Sequence, residues 1–294
     1  MTDAQPNLHR RRLGLELRAL RSSSLGGQGM SLTEAAQRLA LSGAPALSKI
    51  ENGKQRVPLI ALAGFFEVYG PVDDERKDKI RALASLASSG KRSNLLDEYK
   101  NSIRDPFAEY LHLEVLASRS ETFTWVIPGL LQTKDYARTL VKQSRKWSTD
   151  RDIDSFVDLR MARQKALTRT DTDPLHLWCV LDESALVRAV GGKQVMREQL
   201  EYLLNLTDEH KHIAIQVLPF AYGAHAGIDG PFHLLHFPAG PPLAVVEPMT
   251  TALYLEEDSY ITRYETSFNH LRTEALSVEA SRRFIHDKIK DCYT

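Results

Sequence analysis

Cysteine is scarce. Cys179 and Cys292 are the only two in 294 residues, too few for the disulfide framework of a small secreted domain. No apolar run approaches the ~20 residues that cross a bilayer, and the opening MTDAQPNLHRRR has no apolar signal-peptide core. A cytoplasmic location with no membrane contact is expected. Net charge is also missing, with 38 Lys and Arg against 38 Asp and Glu. There is no internal repeat and no low-complexity tract. Signatures of the common chemistries are absent: no C-x-x-C or H-E-x-x-H for a metal, no G-x-S-x-G for a nucleophile, no G-x-G-x-x-G or P-loop for a nucleotide. Among ten histidines, His233 and His236 stand three apart in an expected strand. They face opposite sides and cannot chelate together. The expectation is a chain that is no enzyme and holds no metal or cofactor.

What is present is ordinary for a globular protein, 43% hydrophobic and 26% charged, at a length that suits two domains. The zero net charge hides an asymmetry. Residues 1–60 hold nine Lys or Arg and four Asp or Glu, a balance of +5, so the remainder carries −5. A basic head on an acidic body suits a partner with phosphates at one end. Within the head, residues 31–58 organise the chain. Ser31 is placed as an N-cap with Glu34 three residues on, the spacing of a capping box. Ala35, Ala36 and Leu39 follow at helical spacing. Ser42-Gly43-Ala44 breaks the helix, Pro45 suits the first turn of the next, and Asn52-Gly53 ends it. Two short helices with small residues at their crossing and cations beyond them have the pattern of a DNA-binding helix-turn-helix.

The run Leu47-Ser48-Lys49-Ile50-Glu51-Asn52-Gly53-Lys54, then Pro58, resembles the signature of the Xre (lambda-repressor-like) helix-turn-helix family, and 13–21 resembles that family's first helix. The resemblance implies an all-α, five-helix DNA-binding head over residues 1–88, with helices near 8–23, 31–40, 45–52, 58–69 and 73–87. The core of the fourth would come from Leu59, Leu62, Phe65, Phe66 and Tyr69. The resemblance also implies a structural salt bridge between Arg18 and Glu51. The expected DNA contacts are Arg10, Arg11, Ser31, Gly43, Ala44, Ala46, Lys49, Asn52, Lys54, Gln55 and Arg56. Small residues at the start of the third helix allow close approach to bases. Lys54 and Arg56 are expected to grip phosphate. The chain departs from the family in Leu32, where Gln is common, and in a turn one residue longer over 42–45.

Residues 89–104 read as a Ser- and Gly-bearing linker, and the character then changes to α+β. Strands are expected at 121–127, 175–181, 212–218, 232–237, 243–247 and 252–255, with a long helix at 150–169 and two closing helices over 260–276 and 278–289. The blocks VIPGLLQTKDYAR, RMARQKAL, LDESALVRAVGG, IQVLPFAYGAHAG, GPFHLLHF and FNHLRTEALS resemble the C-terminal domain of WhiJ-like, antitoxin-like regulators over residues 105–290. That implies an α+β effector or dimerisation domain at 105–294 in a DNA-binding regulator, often with a small protein partner encoded nearby. The alternative is an antitoxin-like protein that mainly sequesters such a partner and autoregulates through the head. Partners are therefore expected to be double-stranded DNA, a second copy in a homodimer, a small protein and a small-molecule effector. Arg160 and Arg163 share a helix face that suits an anion or Glu183. Tyr222 and His225 lie in a Gly-rich loop that suits a ligand.

Overall fold

The computed structural model describes residues 8–22, 27–88, 105–144, 149–170, 173–238, 241–247 and 252–293. The chain divides into two compact units, residues 1–91 and 92–294. The expected linker over 89–104 lies outside the described residues, as do 1–7 and the middle of the Ser/Gly loop at 23–26.

The first unit is helical. Helix α1 (Leu8–Arg21) is followed by α2 (Leu32–Arg38), α3 (Ala44–Glu51), a 3-10 turn (Leu59–Ala61) running into α4 (Leu62–Val68), and α5 (Asp74–Ser88). Leu13, Leu17 and Leu20 on α1 are buried with Leu47, Ile50, Leu62, Phe65, Tyr69, Ile80 and Leu83, the spacing of amphipathic helices around one core. The fourth helix starts later than its sequence pattern suggests. Because residues 59–61 form a 3-10 turn, Leu59 is rotated outward and is 48% exposed, not core; Phe66 is half-buried.

Two glycines set the closeness of α1 to α3. A Cβ on Gly14 would sit 2.4 Å from the Glu51 carbonyl oxygen, and one on Gly53 would sit 2.7 Å from the Arg11 Cα. The backbone of the first helix therefore lies directly against the end of the third.

The second unit is α+β. After α6 (Asp105–Leu116) come β1 (Arg119–Thr124), α7 (Lys134–Gln143), α8 (Asp150–Arg163), α9 (Lys165–Thr168), β2 (His176–Asp182), α10 (Ser184–Val187), α11 (Lys193–Glu209) and β3 (Ile213–Leu218). Then follow β4 (Phe232–His236), β5 (Leu243–Val246), β6 (Leu253–Leu255), α12 (Asp258–Glu274) and α13 (Val278–Tyr293). The six strands form one mixed sheet in the order β3-β2-β1-β4-β5-β6. β1 pairs parallel with β2, β2 pairs parallel with β3, and the other neighbours are antiparallel. Alternation divides the sheet into two faces. Phe123, Val180, Leu218, Phe232, Leu234 and Ala244 pack against Ile261, Phe268 and Leu271 of α12. Ser120, Thr122, Leu177 and His233 point the other way and line a cavity with residues of α6, α7 and α8.

The strand expected at 121–127 ends early. The Thr124 hydroxyl donates to the Val126 carbonyl at 2.9 Å and accepts from the Val126 amide at 3.2 Å, which turns the chain off the sheet. The long helix expected over 150–169 breaks at Gln164, whose side-chain amide donates to the Gln132 carbonyl at 2.6 Å.

Candidate functional site

In the head, Ser31 caps α2, its hydroxyl accepting from the Glu34 amide at 3.1 Å. The Glu34 carboxylate does not return to Ser31 but takes Arg38 at 2.8 Å. Between α2 and α3 the chain passes through Ala40 at φ 52°. The amides of Ala40 and Leu41 donate to the carbonyls of Gln37 and Ala36, which closes the helix end. Helix α3 starts behind Gly43 (φ 134°) with Pro45 in its first turn. It ends on the same motif as α2, here with Gly53 at φ 70°, where Gly53 N–H bonds the Ile50 carbonyl and Lys54 N–H bonds the Lys49 carbonyl.

This anchoring exposes one face of α3: Pro45, Lys49 and Asn52, with Gly43, Ala44, Ala46 and Ser48 half-buried beside them. The Asn52 amide donates back to the Ser48 carbonyl at 2.8 Å. Lys54, Gln55 and Arg56 follow, all exposed. Among the described residues, no carboxylate pairs with Lys49, Lys54 or Arg56.

Two expectations are corrected. Glu51 is bridged by Arg21, with Nε to Oε1 at 2.6 Å and Nη2 to Oε2 at 2.9 Å, while Arg18 is exposed. Arg21 stands four residues after buried Leu17, about 40° from it around α1 and so on the inner face, whereas Arg18 is turned about 100° away from Leu17. Arg10, expected on phosphate, is buried to 8% exposure, and Arg12 is buried too; Arg11 is the exposed member of the three. The cause is the close seat of α1 on Gly53. Burial lowers the pKa of Arg10, and the neighbouring Arg56 charge lowers it further.

In the second unit, Arg160 and Arg163 line the cavity of about 220 Å³ together with Tyr110, Glu114, His233 and Glu247. Arg163 does not meet Glu183. It makes a buried two-pronged ion pair with Glu114, Nε at 2.8 Å and Nη2 at 2.7 Å. Tyr110 lies between the Arg163 guanidinium, 5.5 Å from the ring centre, and the His233 ring at 5.5 Å. His233 Nδ1 is 2.9 Å from the Thr122 hydroxyl, and burial holds its pKa below the ordinary imidazole value. Arg160 is bonded differently. Its Nη1 donates to the Gln132 side-chain oxygen at 2.7 Å and its Nε is buried without an acceptor among the described residues. Desolvation, and then the Arg163 charge, bring its pKa down to about 10.

Comparison with known families matches residues 12–78 to a helix-turn-helix domain and residues 107–287 to a domain of unknown function, DUF5753. The second match covers more than half of the chain. The chain belongs to the DUF5753 family. Among curated proteins and among solved structures, no match was found. The helix-turn-helix match assigns DNA binding to the head, and no helix among the described residues is long and apolar enough to cross a membrane.

The remaining candidates in the DUF5753 unit stand apart from the cavity. Glu183 accepts from the Phe220 amide at 2.8 Å and pairs with Lys288 at 2.8 Å, holding β2 to the loop after β3 and to α13. Tyr222 is exposed, and His225 packs edge-on against Phe123 at 5.4 Å, its Nδ1 accepting from the Gly227 amide at 3.1 Å. A Cβ on Gly227 would sit 2.3 Å from the Phe123 ring, so the Gly-rich loop is a lid on the α12-side core. It lies across the sheet from Arg160.

Sequence reasoning missed three glutamines that hold segment 127–133 over the cavity. Gln132 donates to the Ile127 carbonyl, Gln164 to the Gln132 carbonyl, and Gln199 to the Leu131 carbonyl while accepting from the Thr133 amide, all within 2.7 Å. The signal for Gln132 is the block VIPGLLQT, where a polar amide interrupts an otherwise apolar run; Gln164 and Gln199 sit among charged residues and carry no such mark.

Proposed function

We propose that the chain is a cytoplasmic, sequence-specific transcriptional regulator of the Xre type that binds double-stranded DNA as a homodimer. The observation that carries this reading is the outward face of α3. Lys49 is presented at its centre, with Lys54 and Arg56 beyond it unpaired by any described carboxylate. An α-helix with this face fits the major groove, and the flanking cations suit phosphates on either side. One short head reads few base pairs, so two heads on half-sites one helical turn apart give useful specificity. The DUF5753 unit supplies the dimer surface and the site for an effector or a small protein partner.

The test is fluorescence anisotropy of the full chain on the DNA upstream of its own gene and on scrambled DNA, across a salt series. A preference of about a thousandfold with a steep salt slope is expected. Equal, weak binding to both DNAs would overturn sequence-specific regulation by the unliganded protein.

A further inference from the structure

The cavity beside the sheet sets two guanidinium groups against two carboxylates, Glu114 and Glu247, but bonds them unevenly. Its two guanidinium groups are treated differently. Arg163 is neutralised by Glu114 in a two-pronged pair. Arg160 has a neutral amide as its hydrogen-bond partner and a buried Nε with no acceptor among the described residues. A desolvated cation without a bonded counter-ion is costly, and it stands here beside about 220 Å³ of open space. We propose that this cavity binds a small organic monocarboxylate, and that Arg160 takes the carboxylate.

The lining selects within the class of anions. Val126, Ile127, Leu130, Leu140 and Leu177 form an apolar wall that suits a hydrocarbon or aromatic body, while Ser120, Thr122, Thr124 and Gln132 keep the rest of the lining polar. Glu247, exposed at the edge of the cavity, adds a negative charge that disfavours dianions such as phosphate. His233 and Tyr110 supply polar edges beside the apolar wall. A guanidinium bonds a carboxylate more strongly than it bonds a neutral amide. The inference gives a ligand class to the effector site of the proposed regulator and rests on that reading for its regulatory meaning. Binding itself is read on the protein alone, so its failure and a failure of DNA binding are separate results.

The experiment is isothermal titration calorimetry of the full chain with benzoate, phenylacetate and hexanoate, against phenylacetamide and inorganic phosphate. At least one carboxylate is expected to bind once per chain, with the matched amide weaker by about tenfold or more and no heat from phosphate. Arg160→Gln should lose about tenfold or more of the carboxylate affinity, with the circular dichroism spectrum unchanged. If that variant does not fold, Leu140→Trp, which fills the apolar side of the cavity, should abolish binding. The proposal is overturned if no carboxylate binds, if amide and carboxylate bind alike, if phosphate alone binds, or if the folded variants bind as the wild type does.

Discussion

Arg21 closes a two-pronged ion pair on Glu51, thirty residues further along the chain, and its Nη1 also donates to the Met30 carbonyl at 2.7 Å. One side chain thus ties the end of α1 to the end of α3 and to the residue before the cap of α2. Removing one partner of a buried pair strands the other, at a cost of about 3 kcal/mol. Arg21→Ala is expected to lose that much in urea unfolding followed on the head's helical signal, whereas exposed Arg18→Ala should change it by less than about 0.5 kcal/mol. Equal losses from the two variants would contradict the pairing.

The outward cations divide by role. Lys49→Ala should weaken binding to the specific DNA more than binding to scrambled DNA. Lys54→Ala and Arg56→Ala should weaken both and flatten the salt slope by about one unit each. Anisotropy at several salt concentrations separates these outcomes, and identical behaviour of all three variants would refute the assignment.

Ala40 holds a left-handed conformation at φ 52° that glycine adopts without steric cost. Ala40→Gly should therefore stabilise the head by about 0.5–1 kcal/mol. Gly53→Ala should do the opposite and more strongly, since an added Cβ meets both a positive φ and the Arg11 backbone 2.7 Å away. Thermal unfolding of the two variants gives the signs directly.

The two arginines of the cavity should respond differently to replacement in the absence of ligand. Arg163→Met leaves Glu114 charged and buried and should cost about 3 kcal/mol or more. Arg160→Met removes a desolvated charge and leaves one amide oxygen unbonded, effects of opposite sign, so stability should stay within about 1 kcal/mol of wild type. Chemical denaturation of the full chain reads the contrast.

His233 gives the second unit a defined acid sensitivity. Its pKa is lowered from 6.5 by burial; Glu247 and Glu114 act in the opposite direction and Arg163 with it. Between the folded and unfolded values the unfolded chain binds a proton that the folded chain does not. Stability is therefore complete above about pH 6.5 and is lost as pH falls through that window. His233→Gln should flatten the dependence between pH 7 and 5, as measured by melting temperature across that range.

Much of this architecture is legible in the sequence. All six strands fall within a few residues of their expected positions, because short β-branched and apolar runs bounded by Pro, Gly and Asp are a local signal. The caps of α2 and α3 are local as well. The misreadings have physical reasons. Family likeness puts Arg18 at Glu51, whereas counting four residues on from Leu17 leads to Arg21. Leu59 follows Pro58 at helical spacing, but three residues of 3-10 geometry rotate it into solvent. The pairing of Glu114 with Arg163 spans 49 residues, and no periodicity reports on such a contact; the one hint is a glutamate inside the apolar run of α6. The glutamines around segment 127–133 escape because a polar amide in a sequence does not say which distant carbonyl it will meet.

The strand order carries a consequence for how the chain is made. β1 is the middle of the sheet, yet it leaves the ribosome before either of its neighbours: β2 starts at His176, and Arg119 finds its antiparallel partner only at His236. At synthesis rates of about 5–20 residues per second, the 117 residues from Arg119 to His236 take roughly 6–23 s. The helical head, whose contacts are local, can fold in that interval. The nascent second unit meanwhile carries a central strand whose β4-facing edge is unpaired, and chaperone dependence during expression should belong to it and not to the head.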